Sequence, residues 1–150
     1  MRVAPVMLTL FMIAAANSAA PSHASEQDGR SLHKQVRSGQ RVRIYGYVQV
    51  DSKCRFSSPP TIQIVTPPTH GTVIAQSGDV VVRDQPRNSL NDCRGQSGPG
   101  MKIYYRANKD YTGPDSFSWT ASYSNATVAH DTASVDVLAP HPGTAASDED

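Results

Sequence analysis

The histidines and serines of this chain do not fall into an arrangement that predicts catalysis. Four histidines lie far apart along the sequence, at His33, His70, His130 and His141. His130 precedes Asp131 and could pair with a serine, but a serine triad is defined by geometry, and serines are too common here to be informative. No nucleophile elbow, zinc-protease motif or phosphate-binding loop is present. The sequence therefore predicts a protein that is not an enzyme, with a small hydrolase as the less favoured alternative.

The acidic residues and cysteines do not form a metal-binding pattern either. Calcium requires several oxygen ligands around one ion, whereas Asp110, Asp115 and Asp131 are scattered along the predicted fold. A blue-copper site requires a histidine soon after the cysteine and then a methionine. The chain reaches Met101 after Cys93 without a histidine. We therefore predict no metal and no cofactor.

The N-terminus has the organisation of a secretory signal peptide. Arg2 precedes an apolar run that ends at Ala16, and small and polar residues follow it. The run is too short to span a bilayer, which needs about 20 residues. Ser22-His23-Ala24 fits the cleavage rule, so residues 1–24 are predicted to be removed. The mature protein is then expected to be periplasmic or extracellular, with no membrane span.

Cys54 and Cys93 are the only cysteines of the chain. Export to an oxidising compartment makes them a predicted disulfide. In the chain-entropy model, closing a loop of this length stabilises a fold by about 4 kcal/mol. That is a large contribution for a domain with a small core.

The net charge of +1 excludes the strong overall field of a dedicated nucleic-acid binder. Basic residues nevertheless crowd the first part of the mature chain, and the chain ends in an acidic run, Ser147 to Asp150. We interpret these basic residues as a solvated strand face. They are Lys34, Arg37, Arg41, Arg43, Lys53 and Arg55.

The segment 41–50 alternates between apolar and polar residues, which predicts a strand with one buried face. Strict alternation places Arg43, Tyr45 and Tyr47 together on the outward face. Flat aromatic rings beside a guanidinium group can stack on sugars or anchor a protein partner. These three residues are therefore the candidate ligand face. The alternative is that they are ordinary strand formers, or pack beneath a long loop predicted over 84–100.

Short strands with turn signals between them recur along the rest of the chain, and no segment has a sustained helical period. Gly71–Ala75 and Asp79–Arg83 are predicted to form a hairpin around Gln76–Gly78. The pattern predicts an all-β fold, a single antiparallel sandwich of about seven strands over residues 33–138. Residues 25–32 are predicted to be a flexible segment, and 139–150 a disordered acidic tail.

The segment 111–120 is predicted to form a corner and the strand that follows it. Gly113 shapes the turn, Asp115 can accept hydrogen bonds from turn amides, and Tyr111 can close the corner. Phe117 and Trp119 then enter the core, where each contributes about 2 to 3 kcal/mol through burial.

Two motifs resemble the bacterial Ig-like, cadherin-like repeat domains. They are Thr66-Pro-Pro-Thr-His-Gly-Thr-Val73 and, after the aromatic strand with Tyr105, Tyr111-Thr-Gly-Pro-Asp-Ser-Phe117. The resemblance covers roughly residues 33–138 and implies an Ig-like sandwich. The chain departs from the family pattern in the loop that carries Cys93, and in Ala107, where the family usually has proline.

Domains of this family usually serve as spacers or adhesive modules, so the resemblance implies a binding role. We expect an exported, non-catalytic interaction module of the periplasm or cell envelope. Its partner is expected to be another exported protein or a cell-envelope glycan, and not a nucleic acid. The alternative is a structural or adhesive surface component that binds polysaccharide.

Overall fold

The computed structural model describes residues 26–27, 29–83 and 91–141. The predicted signal peptide, its cleavage site, the first part of the predicted loop (84–90) and most of the predicted tail (142–150) lie outside these residues. Within the described ranges every regular element is a strand, and no helix is long and apolar enough to cross a membrane. The strands are β1 (Glu26–Gln27), β2 (Ser31–Arg37), β3 (Arg41–Val48), β4 (Thr61–Thr66), β5 (Gly71–Val81), β6 (Ser97–Ala107), β7 (Gly113–Ser122) and β8 (Val128–Leu138).

The strands form two sheets that pack around one core. One sheet has the order β2–β8–β7–β4, with β1 on the same edge of β8 as β2, and the other has the order β3–β6–β5. The strands β3, β6 and β5 therefore oppose β4, β7 and β8. When β2 is counted as the first strand, these are the second, fifth and fourth strands opposing the third, sixth and seventh, as in immunoglobulin-like sandwiches. The predicted sandwich of about seven strands is confirmed, since β1 adds only two residues.

The strand β2 differs from the sequence prediction in position and direction. It begins at Ser31, inside the segment predicted to be flexible, and it pairs with β8 in parallel rather than antiparallel direction. Leu32 and Val36 are the only apolar residues of this strand. Its sequence therefore carries little β pattern, and the edge of β8 provides the hydrogen-bonding partner that orders it.

The hairpin predicted around Gln76–Gly78 is wrong. The strand β5 runs through these residues without a break and pairs with the equally long β6, with Gly78 opposite Gly100. The predicted loop is also too long, because β6 begins at Ser97. Glycine and serine resemble a turn in sequence, but the neighbouring strand provides ladder partners along the whole segment.

The core is rich in aromatic residues. Trp119 and Phe117 are buried, with ring centroids 5.3 Å apart, and Phe117 stacks on Tyr105. The buried core consists of Val36, Ile44, Tyr47, Ile103, Tyr105, Ala107, Phe117, Trp119, Ala121, Ala133, Val135 and Val137.

The disulfide between Cys54 and Cys93 is confirmed. It joins the connection after β3 to the segment that leads into β6, and Cys93 is fully buried. The bond therefore fixes the β5–β6 ribbon to the β3 side of the sandwich.

Candidate functional site

The predicted outward strip of Arg43, Tyr45 and Tyr47 does not form, because a β-bulge interrupts β3. Arg43 lies opposite Tyr104 and Tyr45 opposite Ile103, which leaves Ile44 as an extra residue. One extra residue reverses which side chains face the core. Both tyrosines after the bulge therefore point into the sandwich, whereas Arg43 stays on the outer surface.

Tyr47 is the centre of a buried hydrogen-bond chain. The indole nitrogen of Trp119 donates to the Tyr47 hydroxyl at 2.6 Å, and that hydroxyl donates to the carboxylate of Asp131. Burial and the bond to the carboxylate raise the pKa of Tyr47 well above its ordinary value. The hydroxyl therefore stays protonated and serves as a donor.

Asp131 also fixes the segment that leads into β2. It is only 1% exposed, and its carboxylate accepts a hydrogen bond from the backbone nitrogen of Arg30 at 2.7 Å. The guanidinium of Arg30 lies 3.4 Å from the same carboxylate and 5.0 Å from the ring centre of Tyr45. A buried charge is tolerated only when it is paired and hydrogen-bonded, and these contacts supply both conditions.

The corner residues of segment 111–120 are held by similar contacts. The Tyr111 hydroxyl donates to the Pro114 carbonyl at 2.6 Å, and the Tyr105 hydroxyl donates to Asp115 at 2.8 Å. The Asp115 carboxylate also accepts the backbone nitrogens of Thr69, His70 and Ser116. Burial alone would raise the pKa of Asp115, but these hydrogen bonds outweigh it and lower the pKa below its ordinary value.

A partly open groove of about 820 Å³ runs along one side of the sandwich between β2 and β3. Each of these strands is the outermost strand of its sheet, and among the described residues each has a strand partner on one side only. The groove is therefore bordered by two strand edges, and the backbone N–H and C=O groups on these edges pair with no described strand. Arg43, Tyr45 and Tyr47 all line it, although from different faces of β3.

The groove is strongly basic. Asp79 is the only acidic residue among its described lining residues. The cationic lining residues are Arg30, Lys34, Arg37, Arg41, Arg43 and Arg83. The crowding of basic residues between Lys34 and Arg43 is the sequence signal for this surface. The interpretation as a solvated strand face does not account for this, because two sheet edges bring four of the six basic residues to one groove, whereas Lys53 and Arg55 lie outside it.

Three residues of the β2–β8 pair resemble a serine triad in their contacts. Nδ1 of His33 lies 3.1 Å from the Ser134 hydroxyl, and its Nε2 lies 3.2 Å from the Asp136 carboxylate. The ring is reversed relative to a serine hydrolase, in which Nε2 faces the serine. The Ser134 hydroxyl also donates to the Leu32 carbonyl at 3.4 Å, which directs its proton away from the ring. The side chains of His130 and Asp131 lie on opposite faces of β8, since Asp131 is buried and His130 is exposed.

The outer face of the β2–β8–β7–β4 sheet is rich in hydroxyl groups. The register places Ser31, Thr132, Ser118 and Thr66 in one row across the four strands. The neighbouring row contains Ser134 and Ser116. These side chains line a second, smaller cavity of about 310 Å³ whose described lining has no charged residue, in contrast to the basic groove. Across the described ranges, no group of three or more His, Cys, Asp or Glu residues is placed to hold a metal ion.

The fold and the groove together define an Ig-like β-sandwich with a basic cleft between two open strand edges. No protein-family model, curated protein or solved structure matches this chain.

Proposed function

We propose that this protein is an exported, non-catalytic binding module that holds an anionic partner in the groove between β2 and β3. The observation that carries the proposal is the basic groove itself. Its volume of about 820 Å³ lies within the range of roughly 300–1,000 Å³ typical of ligand sites. The two motifs around Gly71 and Gly113 resemble the Ig-like, cadherin-like repeat domains, which usually serve as spacers or adhesive modules.

Charge is the property of the groove that selects a partner. Basic side chains from β2, β3 and the segment just after β5 line a concave surface, with Asp79 as the single acidic residue of its described lining. A cleft lined by charges of one sign concentrates ligands of the opposite sign and accelerates their association. The signal-peptide pattern and the disulfide support a site of action outside the cytoplasm.

Two matched charge reversals test the proposal. Lys34→Glu with Arg43→Glu removes two exposed cations from the groove, and Lys53→Glu with Lys109→Glu removes two exposed cations elsewhere. Both variants change the net charge equally. On immobilised polyglutamate, we expect the groove variant to elute at a much lower salt concentration than the control variant. Equal elution would mean that retention follows net charge alone and would contradict the proposal.

The hydroxyl-rich sheet face favours a second candidate function, that of an adhesive surface component that binds polysaccharide. Hydroxyl rows can exchange hydrogen bonds with a sugar polymer without requiring charge. The test is co-sedimentation with insoluble polysaccharide. Loss of binding in a Ser116→Lys and Ser134→Lys variant, but not in the groove variant, would support this function. Loss in the groove variant alone would exclude it.

A further inference from the structure

The two strand edges that border the groove differ in how well they could accept another strand. The edge of β3 is interrupted by the bulge at Ile44. The strand β2 pairs with β8 in one unbroken register over all seven residues, from Ser31 to Arg37. Bulges protect sheet edges from pairing with other chains. The edge of β2 is therefore the continuous one.

Lys34 is the residue that protects the edge of β2. It lies opposite the buried Val135, so its side chain is on the core-facing side of the strand, between Leu32 and Val36. It nevertheless remains exposed and lines the groove. An inward-pointing charge at an edge discourages an apolar strand from adding there. A strand that places a carboxylate beside Lys34 would compensate this charge.

We propose that the groove accepts an extended acidic segment of another exported protein, which adds to the edge of β2 that no described strand occupies, as a further strand with a carboxylate beside Lys34. This inference rests on the proposed function and specifies its partner. Strand addition obtains affinity from main-chain hydrogen bonds and specificity from alternate side chains. Here the alternate side chains that enter the groove lie beside Lys34, in a lining whose only acidic described residue is Asp79, which selects acidic residues.

The test uses the full purified protein and a blocked octapeptide of alternating threonine and glutamate. A second octapeptide has the same sequence with every backbone nitrogen methylated, so it keeps the charge but cannot donate ladder hydrogen bonds. Calorimetry measures both affinities, and amide hydrogen exchange follows residues 31–37. We expect the methylated peptide to bind at least tenfold more weakly and the unmodified peptide to protect alternate amides of β2.

Lys34→Glu should weaken binding of the unmodified peptide at least tenfold, whereas the control Lys53→Glu should leave it nearly unchanged. Equal affinity for the two peptides without amide protection would overturn strand addition. Salt-dependent retention on polyglutamate would then still hold, so the proposed function would survive separately.

Two further outcomes would assign the groove to another occupant. Binding of dextran sulfate at Lys34, with no binding of either peptide, would make an anionic glycan the partner and overturn the inference. The peptide could instead bind only after Asp148, Glu149 and Asp150 are replaced by asparagine or glutamine. That result would show that the chain's own acidic end fills the groove. That result would also overturn a partner protein as the natural occupant.

Discussion

Replacing Tyr47 with phenylalanine should destabilise the protein far more than the loss of one hydroxyl usually does. The substitution keeps the ring in the core but removes the group that joins the Trp119 indole to the Asp131 carboxylate. A hydrogen bond to a charged group contributes about 1.5–3 kcal/mol, and a buried donor left without an acceptor costs about 1–3 kcal/mol. The free energy of unfolding should therefore fall by roughly 3–5 kcal/mol. That is a large fraction of the roughly 5–15 kcal/mol that stabilises a domain.

Tyr123 provides a matched control for this prediction. It is half-buried beside Tyr47, with ring centroids 6.4 Å apart, and its hydroxyl forms no hydrogen bond with other described residues. Tyr123→Phe should lower the free energy of unfolding by less than about 1 kcal/mol. Urea unfolding followed by tryptophan fluorescence measures both variants, because Trp119 is the only tryptophan of the chain and belongs to the network. Equal losses in the two variants would refute the central role of the Tyr47 hydroxyl.

Three further changes test other parts of the fold. Cys54→Ser with Cys93→Ser should lower the free energy of unfolding by about 4 kcal/mol. An unchanged urea midpoint in this serine variant would contradict the prediction. Gly71→Ala should cost about 1–3 kcal/mol through overpacking, since its Cβ would lie 2.4 Å from an aromatic carbon, whereas Gly78→Ala on the same strand meets nothing closer than 3.7 Å. Similar melting temperatures for the two glycine variants would contradict that reasoning. Burial raises the pKa of Asp115, but hydrogen bonding outweighs burial and lowers this pKa below its ordinary value. The stability that the ionised carboxylate contributes is therefore present above about pH 4 and is lost as the pH falls through the folded-state pKa. Asp115→Asn should therefore lose less unfolding free energy on acidification than the wild-type protein, and parallel pH curves would show that this carboxylate does not contribute.

Local pattern in the sequence was sufficient to predict the central strands and the core. Phe117 and Trp119 alternate with serines, so their burial follows from a period of two residues. The disulfide follows from two cysteines in a chain whose N-terminus predicts export. Both inferences depend on local sequence or compartment, and neither needs a knowledge of which strands are neighbours.

The candidate site could not be predicted in the same way, because it depends on long-range pairing. A single bulge turns the side chains of Tyr45 and Tyr47 from the outer face of β3 to the inner face. Nothing in the alternation of apolar and polar residues along β3 indicates this bulge. The edge position of Lys34 depends on a pairing with Val135, about a hundred residues further along the chain. The cations were visible in the sequence, but the concave surface that they share is formed by two sheet edges.

The parallel pairing of β2 with β8 also determines how the domain carries mechanical load. Ser31 lies beside Thr132 and Arg37 beside Leu138, so the chain reaches β2 at one end of the molecule and leaves β8 at the other. Tension applied between the two ends slides one strand along the other. Seven paired residues then bear the force together in shear, instead of separating one after another. Because forced unfolding is governed by the rate of rupture, this geometry favours a domain that resists being stretched between its ends.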